Sequence, residues 1–209
     1  ENFQLLKAVA RTHKPVILST GMCDIQEIEE TVKVLKRFNA GEISILHCNT
    51  QYPTPMEDVN LSAMKEIKDM FGCRVGYSDH TKGIEIPIAA VAMGAQIIEK
   101  HFTLDRNMEG PDHAASLNPV ELKQMITSVR NVEKAMGDGR KKISNSERGN
   151  RIAVRKSVFA KCNIKKGELL TEKNIIAKRP GGGINPMRWE DVIGKKAIHD
   201  FRKDEMIEI

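Results

Sequence analysis

At 209 residues, 40% hydrophobic and 29% charged, the chain has the balance of folded globular protein and lies far from disordered or collagen-like compositions. Its net charge of +5 comes from 33 basic residues interleaved with 28 acidic ones, the basic stretches RKK (140–142) and KK (165–166) are short, and aromatics make up only 4%, which argues against a nucleic-acid surface. No apolar run reaches membrane-spanning length, no leader-like segment opens the chain, and the four cysteines (23, 48, 73 and 162) show neither CxxC pairing nor metal-type spacing. The expectation is a cytoplasmic protein with reduced thiols and no nucleic-acid or membrane partner.

The first 137 residues alternate between strand-like and helix-like patterns. PVILST (15–20) is a β-branched apolar run, after which Asp24 with Glu27 forms a capping-box start for a helix whose face is Ile28, Val32 and Leu35. ISILHC (43–48) predicts a second strand, and Leu61, Met64, Ile67 and Phe71 predict a helix over 57–71. RVGYS (74–78) is a third strand, followed by an alanine-rich helix over 84–93, and AQIIEKHFT (95–103) is a fourth strand. The last helix starts at Asn118-Pro119 and stops at Gly137, with Leu122, Met125, Val129, Val132 and Met136 on its face. Strands joined by single helices run parallel. No GxGxxG follows any of them, which argues against a dinucleotide-binding sheet. Four β/α units fit the second half of a TIM (β/α)8 barrel, so the chain reads as part of a longer protein.

The rhythm breaks after Gly137. Residues 138–151 are polar and read as a linker between a partial barrel (1–137) and a small, mostly β module (152–209). KSVFAK (156–161) and KKAIHDF (195–201) are the β-like runs of that module, with IKKGELL and RPGGGINP supplying turn chemistry.

In a parallel barrel the active site forms where the strands end, which directs attention to the residues after each apolar run. His80 and His101 close the third and fourth strands. Neighbouring strands lie about 4.8 Å apart, so two neutral imidazoles there can share one divalent cation and leave open coordination positions. The competing reading is of hydrogen-bonded structural histidines, the reading given to His47. Glu99 shares a face with His101 and is placed either to handle a proton or to form a salt bridge. Ser19 and Ser78 are anion-site donors or helix caps. GPDH (110–113) brings Asp112 to the same end.

As a set, HCNTQYPTP, GYSDHT, EKHFTLD and GPDHAASL resemble the sialic acid synthase family, and SVFAKCNIKKGELL, KRPGGGI and IGKKAIHDF resemble the antifreeze-like (SAF, β-clip) domain that follows its barrel. The resemblance covers essentially the whole chain. It implies condensation of phosphoenolpyruvate with N-acetylmannosamine or a related N-acetylated amino sugar, as in N-acetylneuraminate synthases. Legionaminate synthase is the alternative that the HCNTQYPTP spelling suggests. It further implies Mn2+ or Mg2+ on His80 and His101, and phosphoenolpyruvate contacts from Ser19 and Ser78. Tyr52 and Asp112 would contact the amino sugar, and Glu99 and Tyr52 would take part in catalysis. Arg179 would reach the other subunit of a domain-swapped homodimer. Either Asn49 or Thr50 would stand where relatives place an asparagine that contacts phosphoenolpyruvate. The family's phosphoenolpyruvate-binding lysines belong to earlier strands, so this segment alone is expected to turn over little. Two rivals stand beside this reading: a non-catalytic carbohydrate-binding module, and an aldolase-like barrel using Lys100 as a Schiff base. Against the second, Lys100 alternates with Glu99 and His101 and is expected to face the helix layer.

Overall fold

The computed structural model describes residues 2–209. The chain divides into two compact units, Glu1–Gly139 and Arg140–Ile209. The first unit runs α1 (Phe3–Ala10), β1 (Val16–Ser19), α2 (Ile25–Arg37), β2 (Ile43–Cys48), α3 (Ala63–Phe71), β3 (Arg74–Asp79), α4 (Glu85–Ala92), β4 (Ile98–Lys100) and α5 (Pro119–Met136). The four strands form one sheet in the order β1-β2-β3-β4, every pair parallel. This is the parallel half-barrel sheet that alternating strands and helices require.

Local signals set the helix starts. Asp24 Oδ1 accepts from the Glu27 amide at 2.9 Å, and Glu27 Oε2 accepts from the Asp24 amide at 2.8 Å, closing a reciprocal capping box on α2. Asn118 and Glu121 do the same for α5, with Pro119 at the first turn. Burial on Glu121 is slight, and its carboxyl is held below the usual range first by the Asn118 amide and then by Arg106.

Two elements differ from their predicted bounds. The helix expected over 57–71 is a 3-10 turn at Met56–Asp58 and a separate α3, because Asn60 adopts a left-handed φ of 46° that helical geometry does not admit. Leu61 nevertheless packs against the core that the helical pattern assigned it to. The fourth strand, expected over 95–103, is regular only at Ile98–Lys100, although the Gln96 amide already bonds Val75 and Phe102 bridges to Leu117.

The core lies on one face of the sheet. Ile45, Val75 and Tyr77 point into a cluster with Ile28, Val32, Met64, Ile67 and Ala90 from the covering helices. The Tyr77 hydroxyl is buried there without a hydrogen-bond partner, and burial pushes its pKa up.

The second unit contains α6 (Arg148–Val154), β5 (Ser157–Ala160), β6 (Ile175–Lys178) and α7 (Trp189–Val192). Helix α6 begins inside the stretch read as a linker. Strand β5 pairs antiparallel with β6. The run at 195–201 is not a strand. It makes only isolated bridges, Lys196 to Leu169 and Phe201 to Ile164, and the strand that pairs with β5 is the β6 segment IIAK. Val158, Ile164, Leu170, Ile175, Phe201 and Ile207 form the unit's own core.

Gly76 marks a close approach within the first sheet. A Cβ there would meet the Ile97 carbonyl at 2.4 Å and Leu46 Cδ2 at 2.5 Å. Gly76→Ala is therefore expected to destabilise the first unit by about 3 kcal/mol, the upper end of overpacking costs, read as a lowered urea midpoint.

Candidate active site

Register decides which side chains share the second face of the sheet. Ser19 is aligned with Leu46, and Cys48, Ser78 and Glu99 are aligned with one another across β2, β3 and β4. Side chains two apart point the same way, so this row lies opposite the hydrophobic core. Ser78 is buried and donates to Glu99 Oε1 at 2.7 Å. Desolvation pushes the Cys48 thiol up, a larger effect than the opposing contact from Ser78.

One step beyond the strand ends, His80 and His101 meet. Their ring centroids lie 5.2 Å apart at 79°. The His80 Nδ1 sits 2.6 Å from the Asn49 carbonyl. A carbonyl only accepts, so Nδ1 carries the proton and the lone pair is on Nε2. The Tyr52 ring stacks on His80 at 4.1 Å and meets the edge of His101 at 5.4 Å. Desolvation first, then the charges of Cys48, Asp112 and Glu99, hold its phenol above the usual range, so it is a neutral hydrogen-bond donor near pH 7.

Two loops brace this cluster. In the loop after β2, Asn49 Oδ1 accepts from the Gln51 amide at 2.7 Å and from Thr54 Oγ1 at 3.5 Å, and the Thr54 amide bonds the His80 carbonyl at 3.0 Å. The Asn49 side chain is thus spent on the turn, and its carbonyl fixes His80. In the loop after β4, Thr103 Oγ1 lies 2.7 Å from His113 Nδ1, and Ser116 donates to the Asp112 carbonyl at 2.7 Å. That fold-back leaves Asp112 Oδ2 at 3.9 Å from His101 Nδ1, too long for a hydrogen bond. Thr50 lines the loop after β1, since a Cβ on Gly21 would fall 2.4 Å from Thr50 Cγ2.

A divalent cation on two imidazoles, with metal–nitrogen bonds of about 2.1 Å, places the ring centroids about 4.5–5.2 Å apart. The observed separation and the His80 tautomer both fit. Among the described residues no third His, Cys, Asp or Glu joins them as a closed metal cluster, so a cation here would have two imidazole donors and open positions.

A protein-family model described as the NeuB family matches residues 1–141, and one described as the SAF domain matches 155–208. The chain belongs to the NeuB family. It is 54% identical over 208 residues to the N,N'-diacetyllegionaminic acid synthase of Campylobacter jejuni, covering 99% of this chain and 62% of that protein. It is 36% identical over 208 residues to the human N-acetylneuraminate-9-phosphate synthase, covering 99% of this chain and 58% of that one. The chain therefore spans roughly three-fifths of such relatives. Among solved structures, the N-acetylneuraminic acid synthetase of Leptospira borgpetersenii matches with a TM-score of 0.66 at 42% identity, over 71% of this chain and 52% of that one.

Within this NeuB-family chain, the structure gathers Tyr52, Ser78, His80, Glu99, His101 and Asp112 at one end of the sheet. Ser19 lies on the same face and is exposed. Arg179 belongs to the second unit, where its Nε donates to the Val154 carbonyl at 2.8 Å. His47 points to the helix side and its Nε2 donates to the Val59 carbonyl at 2.9 Å, a structural role. Lys100 faces the helix layer as well. Its ammonium donates to Asp79 Oδ2 and to the Thr81 carbonyl, both at 2.6 Å, and its side chain is 3% exposed. Asp79 in turn accepts from the Thr81 amide and hydroxyl. Sequence reasoning missed this buried pair beneath the site. The aligned positions of Asp79 and Lys100 on adjacent strands were its only signal.

Removing one member of such a pair strands the other charge. Lys100→Met should cost about 3–5 kcal/mol in urea unfolding, and most of that loss should be recovered in the double variant Asp79→Leu/Lys100→Met.

Proposed function

We propose that this chain carries the strand-end half of the active site of a synthase that condenses phosphoenolpyruvate with an N-acetylated amino sugar. The products would be a nine-carbon 2-keto sugar acid and phosphate. The pairing of His80 with His101 at one rim, with the Nε2 lone pair of His80 left free, is the observation that carries the reading. Family membership and the names of the relatives support it. The relative with 54% identity bears a legionaminate name, against 36% for the human neuraminate relative, which favours a diacetylated amino sugar over N-acetylmannosamine as acceptor.

In this reading C3 of phosphoenolpyruvate attacks the aldehyde of the open-chain sugar, water adds at C2, and phosphate leaves by C–O cleavage. A divalent cation such as Mn2+ or Mg2+ would supply Lewis-acid polarisation of the aldehyde when bound to the two imidazoles. Asn49, through its carbonyl, keeps His80 in the tautomer that leaves Nε2 free to ligate. Tyr52 covers both imidazoles and presents a neutral phenol to the acceptor, and Asp112 offers a carboxylate to a sugar hydroxyl. Glu99 is positioned to move a proton. Ser78 already donates to Glu99, so it reaches a phosphoenolpyruvate oxygen only by exchanging that partner, which ties substrate binding to release of the carboxylate. Ser19 and Thr50 complete the rim, and Arg179 is assigned to the partner's site in a domain-swapped homodimer. Lys100, with its ammonium spent on Asp79 and Thr81, leaves no amine for a Schiff base.

Equilibrium dialysis against Mn2+ tests the pair. His80→Ala and His101→Ala should each weaken binding at least about tenfold. Equal uptake by the parent and both variants would favour a non-catalytic module. Because the chain spans 62% of its Campylobacter relative, the isolated 209 residues, given sugar, phosphoenolpyruvate and Mn2+, should release phosphate only at the background rate. Sustained turnover would refute that claim.

A further inference from the structure

The second unit holds a cleft that the synthase reading does not use. Its volume is about 550 Å3, within the usual range of small-molecule sites. Three cations line it: Arg151 on α6, and Arg155 and Lys156 just beyond that helix. None of the lining residues is acidic. Elsewhere in this unit Lys165 pairs with Asp200, Lys178 with Asp204, and Arg188 with Asp191. Arg151, Arg155 and Lys156 have no hydrogen-bond or ion-pair partner among the described residues. Three like charges on one concavity repel one another and concentrate anions from solution.

The opposite wall is the glycine turn 181–183. Gly181 is clamped to the helix, its amide donating to the Ile152 carbonyl at 2.8 Å, and a Cβ there would lie 3.0 Å from Arg155 Cβ. The Gly183 amide is spent on Ser157 Oγ at 3.0 Å. Gly182 stands between them at φ 110°, exposed, with open space around it and an amide that no described group accepts. A backbone donor at a turn that L side chains rarely adopt, on a cleft also lined by two arginines and a lysine, is suited to a tetrahedral dianion. Guanidinium binds phosphate oxygens through paired donors, and the turn supplies a further N–H.

We propose that this cleft is a binding site for a phosphate group, either free inorganic phosphate or the phosphate of a small ester. It is formed by Arg151, Arg155, Lys156 and the Gly182 amide, and it does not depend on the barrel chemistry. The probes are inorganic phosphate, glucose 6-phosphate and a short RNA, each titrated into the full chain at matched ionic strength. The readouts are the Gly182 amide resonance and the fluorescence of Trp189, the single tryptophan, two residues from the lining Met187. A saturable shift is expected with phosphate or the ester. It should weaken at least tenfold in Arg151→Gln/Arg155→Gln and stay unchanged in Lys173→Gln, which removes the same kind of charge from a residue outside the cleft. Tighter binding of the ester than of phosphate would identify the ester as ligand, and equal binding would identify free phosphate. Both arginines are exposed and unpartnered, so native amide dispersion should persist in the variant. A non-saturating shift, equal weakening by Lys173→Gln, or a response to RNA alone would overturn the proposal.

Discussion

Parallel register is the constraint on which the first unit depends. Because Cys48, Ser78 and Glu99 are aligned, and side chains alternate along each strand, the sheet separates into two chemistries without any single residue enforcing the split. One face sends Ile45, Val75 and Tyr77 into the helix layer, and the other sends polar groups to the strand ends. A slip of one residue in any pair would carry a hydrophobic side chain into the site and an ionisable one into the core. Gly76 guards that register by letting the segment around Ile97 approach more closely than a side chain would allow.

The site rests on backbone as much as on side chains. His80 owes its tautomer to the Asn49 carbonyl, and that carbonyl is held by a turn whose asparagine side chain is itself consumed. Beneath it, Lys100 and Asp79 occupy the layer where a barrel usually has aliphatic packing. Burying two charges costs more than packing two methyl-rich side chains, and here each charge is compensated by further hydrogen bonds to Thr81. The pair lies one residue before the two site histidines, on adjacent strands, so it pins the strand ends that carry them. A rigid support beneath the loops keeps the side chains of a candidate site in fixed geometry.

Charge in the second unit is handled differently. Three of its cations, Lys165, Lys178 and Arg188, are matched by nearby carboxylates, and such surface pairs contribute little stability. The cleft at α6, by contrast, is lined by three cations and no carboxylate.

Much of this was legible from residues alone. Capping boxes at Asp24 and Asn118, the helix stop at Gly137 and the four apolar runs gave the parallel architecture, because each signal acts over a few residues of chain. The gathering of His80, His101, Tyr52 and Asp112 was legible because strand ends in a parallel sheet share one rim. Other features were hidden. The break at Asn60 depends on one residue's φ, the role of the Asn49 carbonyl is invisible to side-chain pattern, and the run at 195–201 reads like a strand although it makes only isolated bridges at Lys196 and Phe201. The amino-acid order by itself determined period, polarity and the kinds of group available at each strand end. Only the tertiary structure decided which carbonyl orients His80, that Asp79 takes Lys100, and that Arg151 and Arg155 go unmatched, because those outcomes depend on distances between segments far apart in the chain.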